Sequence, residues 1–264
     1  MKVSHECPRA LLEESRKFND YDYALVHKFK DDTEYYEFFK ESLRLGRTVY
    51  LDNSLFELEK LFDHAEFAYY VKELGSINPD KFYYIVPDAL EDFDATRNSF
   101  TYFLEKYSDL PGKSVGVVQG KHYEEIKECY EFMSKHADMI AISFDYSYYA
   151  NLFGDEKTKF HSYCKGRPFL IEMLQLDGVW NFNKPHHLLG CSLPQEFKVY
   201  NNYSVVSVDT SNPVVMGIKG YKYSEDGLET KESIKLVDLF EAELDEQMLE
   251  NIEHNVKLFK QFIK

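Results

Sequence analysis

Five polar side chains each close a short apolar run: Asp52 in TVYLDNS, Asp88 in KFYYIVPD, Gln119 in SVGVVQG, Asp145 in MIAISFD and Asp209 in VVSVDTS. Carboxylates gathered in this way suit glycosyl transfer, in which one attacks or stabilises an oxocarbenium-like sugar carbon and another handles the proton of the leaving group. Metal binding is the competing use of such acids. Against it, the sequence holds no His-x-His or His-Glu-x-x-His spacing, and His186 and His187, adjacent on one strand, point to opposite faces. A polar residue just after a strand also serves as N-cap of the next helix, and any one of the five can be read that way. Five in equivalent places are harder to dismiss together. Neither a phosphate-cradling P-loop nor a G-x-S-x-G elbow is present, so ATPase and serine-hydrolase chemistry lose support.

The elements that must position these groups alternate regularly. Runs rich in β-branched and aromatic residues (YALVHK, the five runs above and HHLLGCS) are each followed by a helical pattern, the sign of βα units. The run ends Asp52, Asp88, Gln119, Asp145, Gly190 and Asp209 are separated by 36, 31, 26, 45 and 19 residues, close to one βα unit per ~30 residues. The longest step has room for an extra helix containing RPFLIEMLQLDGV. DDTEYYEFFKESLRLG starts with acids and stops at a glycine, as a helix does. In KHYEEIKECYEFMSKHA, Tyr123, Ile126, Tyr130 and Met133 recur at helical spacing.

Seven strands are thus visible, and the reading is an α/β chain with a (β/α)8 TIM barrel as a single domain over residues 1–264. An eighth strand is expected within Pro213–Tyr223 or near Lys235–Phe240. The stretch from Ser233 to Lys264 repeats Leu236, Phe240, Leu244, Met248, Ile252, Val256 and Phe259 at three- and four-residue intervals, which predicts amphipathic helix closing the barrel. An open doubly wound sheet is the alternative, but the Gly-rich first turn usual there is missing.

Composition bounds the rest. The chain has 264 residues, 44% hydrophobic and 16% aromatic, enough for a large core. Cys7, Cys129, Cys164 and Cys191 show no CxxC spacing, so neither a disulfide framework nor a local zinc knuckle is indicated, and a reducing, cytoplasmic setting is expected. The N-terminus lacks an apolar leader core, and no window approaches the ~20 apolar residues of a membrane span. A net charge of −15 is awkward for a nucleic-acid partner, because phosphates are met by Lys and Arg. Local basic pairs exist at Lys219 and Lys222 in GIKGYKY and at Lys165 and Arg167 in CKGRP, although scattered solvated side chains would look the same.

Taken in order, these segments resemble the tRNA-guanine transglycosylase superfamily. YLDNSLFE is similar to that family's T-D-S-G-G-F-Q element, IVPDALED to its strand-three aspartate segment and VVQGKHYEEIK to its Q-G-x-x-x-x-L-R element. MIAISFD stands where the family has G-G-L-A-V-G-E, HHLLGCSLPQEF resembles Y-L-M-G-V-G-x-P-x-D-L, and SVDTSNPV resembles the G-V-D-M-F-D element that carries the nucleophile. The matches run from about residue 48 to 215.

The resemblance implies that Asp209 attacks C1′ of a guanosine nucleotide to form a covalent glycosyl intermediate, with Asp52 as general acid and base. It also implies that Asp88 and Gln119 bond the purine edge, that the strand near Ser143 and Phe144 and the Gly190 turn line its pocket, and that Phe56 stacks on its face. No cofactor or metal is implied. The family's C-x-C-x-x-C zinc site is absent, its paired glycines after the first aspartate are replaced through Asn53, Ser54 and Leu55, and Glu57 stands for its glutamine. Ser54 and Leu55 narrow that side of the pocket, which leaves the incoming base open.

A short chain without the zinc site most resembles the phage-encoded DpdA-type branch, which implies guanine exchange for a 7-deazaguanine, such as 7-cyano-7-deazaguanine, in DNA. The expected partners are then DNA and a free 7-deazapurine base, no membrane, with Lys219 and Lys222 on the nucleic acid and, for a phage protein, the host cytoplasm as its setting. The alternatives are a tRNA substrate, hydrolysis as a purine glycosidase, or a non-catalytic nucleic-acid-binding barrel. Oligomeric state is left open, a homodimer included.

Overall fold

Four-residue apolar runs suffice for strands here because helices cover them on one side, a requirement of parallel sheets. The computed structural model describes residues 1–154, 156–200 and 204–263. Its strands are β1 (Lys2–His5), β2 (Asp22–Leu25), β3 (Val49–Asp52), β4 (Phe82–Ile85), β5 (Lys113–Val117), β6 (Met139–Ser143), β7 (His186–Leu189) and β8 (Val205–Thr210). They form one sheet in the order β1-β8-β7-β6-β5-β4-β3-β2, with parallel pairing. Parallel strands in sequential order alternating with helices make this an α/β fold of the (β/α)8 TIM-barrel type, as the alternation predicts.

The helices are α1 (Leu12–Ser15), α2 (Thr33–Arg44), α3 (Leu55–Leu58), α4 (His64–Gly75), α5 (Phe93–Lys106), α6 (Tyr123–His136), α7 (Ser147–Leu152), α8 (Lys159–Leu176), α9 (Asn212–Ile218) and α10 (Glu246–Phe262). Four start on an aspartate cap whose carboxylate accepts a backbone N–H three residues on: Asp32 from Tyr35, Asp63 from Glu66, Asp92 from Ala95 and Asp245 from Met248. The capping aspartates are therefore not Asp52, Asp88, Asp145 or Asp209.

The chain divides into two compact units, residues 21–141 and residues 1–20 with 142–264. In the first, β2 to β5 pair successively and Leu25 lies in register with Asp52. Its core is strongly aromatic: Phe29, Tyr35, Phe39 and Tyr70 form one ring cluster, and Phe67, Tyr84 and Phe103 another. In the second unit β1 pairs with β8, placing Ser4 in register with Asp209, and β7 pairs with β8. Val214, Ile218, Ile252 and Val256 pack α9 on α10 over Cys7 and Leu11. Gly217 lets the two helices approach, since a Cβ there would meet the Ile252 backbone nitrogen at 2.7 Å.

Three expectations are corrected. The strand missing from the sequence reading is the N-terminal β1, not a segment after Asp209: Pro213–Tyr223 starts in α9, and Leu236–Leu239 is one 3-10 turn. Only four residues, KVSH, make β1, and they carry too little periodicity to announce a strand. Asp52 accordingly ends the third strand and Asp209 is the last residue but one of the eighth. The α-helix occupies only the later part of Ser233–Lys264, from Glu246, where Asp245 supplies the cap; Lys264 lies outside the described residues. The long step after Asp145 does hold an extra helix, with α7 and α8 in succession.

Candidate functional site

In the unit of residues 21–141, Asp52 is the last residue of β3, and its carboxylate is fixed from two sides. The Tyr23 hydroxyl donates to Oδ2 and the Ser54 backbone N–H to Oδ1. Ser54 is buried at φ +61°, the left-handed region that favours glycine. Its neighbour Asn53 reaches the end of β4, where Nδ2 donates to Asp88 Oδ1 at 2.7 Å and to the Val86 carbonyl at 3.2 Å, while Oδ1 accepts the Leu55 N–H at 3.0 Å.

Asp88 is buried, and its other oxygen accepts Gln119 Nε2 at 2.7 Å. Gln119 is fixed in turn, since its Oε1 accepts the Glu91 N–H at 2.8 Å. Burial pushes the Asp88 carboxyl above its ordinary value of 3.8, while the bonds from Asn53 and Gln119 pull the other way. The structure thus brings Asp88 and Gln119 together and adds Asn53, which the sequence reading treated only as a substituted glycine. Phe56, on α3, is 39% exposed.

The unit of residues 1–20 and 142–264 holds Asp209 near the end of β8, 4% exposed. His187 Nε2 lies 2.9 Å from Oδ1, and the Gly190 N–H points at both oxygens, at 3.4 and 3.3 Å. His187 Nδ1 lies 2.9 Å from Ser207 Oγ. An ionised carboxylate can only accept, so with Asp209 ionised Nε2 carries the proton toward it and Nδ1 accepts from Ser207. A register shift between His186 and His187 sets this arrangement, because it matches His187 with Ser207 and leaves Val206 bulged outward. His186 points the other way and stacks on Trp180 at 3.8 Å, so the two histidines do occupy opposite faces.

The turn after β7 depends on Gly190, at φ +66°, where a Cβ would meet the Phe144 ring at 2.5 Å. Gly190 thus lies between the Phe144 ring and the Asp209 carboxylate that its N–H faces. Ser143 offers less than expected, for its N–H donates to Tyr146 Oη at 3.1 Å and its carbonyl accepts from Tyr149 Oη at 3.3 Å. Asp145 accepts from Ser143 Oγ at 2.7 Å.

Of the basic pairs, Lys219 and Lys222 are exposed just beyond α9. The other pair is corrected: Lys165 bonds Glu156 on the surface, but Arg167 is wholly buried against Glu196, its α8 position facing the sheet. A cation the sequence reading passed over is half-buried Lys231, whose Nζ donates to the Cys191 carbonyl at 3.0 Å and lies 5.2 Å from the Phe144 ring and 5.0 Å from the Phe160 ring. Burial holds its ammonium below the ordinary value of 10.5.

His187 and Lys231 left little trace in the sequence. The signal for His187 was the HH pair itself, since one of two adjacent strand residues must share a face with the next strand's acid. Lys231 sits in an irregular segment without periodicity. All four cysteines are free thiols, and among the described residues no group of three or more His, Cys, Asp or Glu side chains is arranged to hold a metal ion. No described helix is long and apolar enough to cross a membrane. No protein-family model matches the chain, and no curated protein matches it.

Proposed function

We propose that this protein is a nucleic-acid guanine transglycosylase that exchanges guanine for a 7-deazaguanine in DNA. The observation that carries the reading is Asp209, a carboxylate near the C-terminal end of a barrel strand, held by the His187 ring and the Gly190 N–H rather than spent on a helix cap. A nucleophile needs that combination of burial and fixed orientation.

In this reading an Asp209 oxygen attacks C1′, the bond from C1′ to the purine nitrogen breaks with its electron pair leaving on the base, and Asp52 protonates the departing base. The incoming base gives its proton to Asp52, bonds C1′ and displaces Asp209. Asp88, set between the Asn53 and Gln119 carboxamides, supplies acceptors for the N–H donors of a guanine edge, and the second N–H of Gln119 Nε2 supplies a donor for its oxygen. Phe56 provides a ring for the purine plane. The left-handed Ser54 backbone stands where the resembling family has glycine, which further supports the reading.

The test is incubation with DNA or tRNA carrying labelled guanine, with 7-cyano-7-deazaguanine supplied, followed by nucleoside mass spectrometry and a denaturing gel for a protein–nucleic acid adduct. Release of label with uptake of the 7-deazaguanine in DNA, and loss of both adduct and exchange in Asp209→Asn, is the expected result. Exchange confined to tRNA, or release without uptake, would reassign the protein as a tRNA transglycosylase or a glycosidase. Exchange surviving in Asp209→Asn would remove the nucleophile.

A further inference from the structure

Arg167 is the largest fully buried side chain among the described residues, and a guanidinium is tolerated out of water only when its charge is paired and its donors are used. Glu196 pairs the charge, with Nε 2.7 Å from Oε1. Three of the remaining donors go to backbone carbonyls at or beside strand ends: Nη1 to Leu189 at 2.8 Å and Ile142 at 3.3 Å, and Nη2 to Gly190 at 3.0 Å.

The Leu189 carbonyl and the Gly190 N–H belong to one peptide group, and there is no cis peptide bond among the described residues. The two dipole ends of a planar trans peptide point to opposite sides. Arg167 therefore donates to one side of the same peptide whose N–H, on the other side, faces the Asp209 carboxylate. A cation on the C=O and an anion on the N–H polarise the peptide in the same sense, which strengthens both bonds.

We infer that Arg167 is a positioning residue for Asp209, acting through the Leu189–Gly190 peptide. The catalytic part of this inference rests on the transglycosylase reading, while the positioning part stands on geometry alone. Lysine in its place keeps a charge for Glu196 but lacks the planar fork that reaches three carbonyls and a carboxylate at once.

The experiment uses the 15N-labelled full chain. In Arg167→Lys the Gly190 amide resonance moves and its exchange with solvent rises tenfold or more, while the Val208 and Ile171 amides keep their protection. Adduct formation slows by about ten- to a hundredfold, the range a displaced reacting group produces. Should Arg167→Lys not fold, Arg167→Met combined with Glu196→Gln removes both buried charges and carries the same readouts. An unmoved Gly190 amide, an unchanged adduct rate against an active wild type, or failure of both variants to fold assigns Arg167 to stability alone and overturns the inference. A displaced Gly190 amide in a protein whose wild type forms no adduct leaves the positioning role standing and sinks the transglycosylase reading instead.

Discussion

His187 Nε2 lies 2.9 Å from Asp209 Oδ1, and both side chains are closed off from solvent. The contact joins neighbouring strands β7 and β8 and leaves the other face of the imidazole to Ser207, so one ring orients the acid and is itself oriented. An acid of this kind is committed to one direction, and its partners are as much a part of the site as it is.

Replacing His187 with leucine should therefore cost more than packing volume. Asp209 and Ser207 each lose a buried partner, and about 1 to 3 kcal/mol of stability should go with them. Urea unfolding checks this, and His187→Gln, which restores a donor, should recover part of the loss. A loss below about 0.5 kcal/mol, the range of a neutral surface change, would mean the contact is not maintained.

Asp88 gives a pH signature. Its carboxyl is raised in the folded chain, mainly by burial, so between the ordinary value of 3.8 and the raised folded value the folded state binds the extra proton. The contribution of this group to stability is thus full below 3.8 and falls as pH rises through the folded value. Asp88→Asn removes that slope, and the difference between wild type and variant in urea midpoint should change across this window. A difference that stays constant with pH would contradict it.

His5 titrates in the opposite sense. It is buried on β1 beside Phe18 and Phe259 with neither ring nitrogen hydrogen-bonded, and burial, assisted by Lys260, lowers it from 6.5 to about 3. The unfolded chain takes up a proton that the folded chain refuses. Stability is complete above 6.5 and should be lost at up to about 1.4 kcal/mol per pH unit as pH falls toward 3. His5→Phe should unfold at lower pH than the wild type in an acid titration followed by circular dichroism.

Lys219 and Lys222 project from the end of α9 with exposed side chains. If they meet phosphates, changing both to alanine should weaken DNA binding and reduce the slope of log affinity against log salt by about 1 for each lysine. Fluorescence anisotropy across a salt series reads the slope directly, and an unchanged slope would move the nucleic acid to another surface.

Six of the seven strands read from the sequence end in residues that carry or adjoin the candidate site groups, because parallel strands buried on both faces must be short and continuously apolar and so mark their own ends. The alternation of these runs with capped helices determined the α/β class and the barrel type. The positions of Asp52, Asp88, Gln119 and Asp209 at strand ends followed from the same pattern.

Tertiary structure decided the rest. The four residues of β1 become a strand only by pairing with β8, because so short a segment has no periodicity of its own to declare it. Arg167 reads as surface charge until α8 turns it onto Glu196 and the β7 carbonyls. His187 faces Asp209 only because a one-residue shift in register precedes it. Each of these depends on contacts between residues about 20 to 200 positions apart, and the identity of such partners is fixed by how the strands align rather than by local composition.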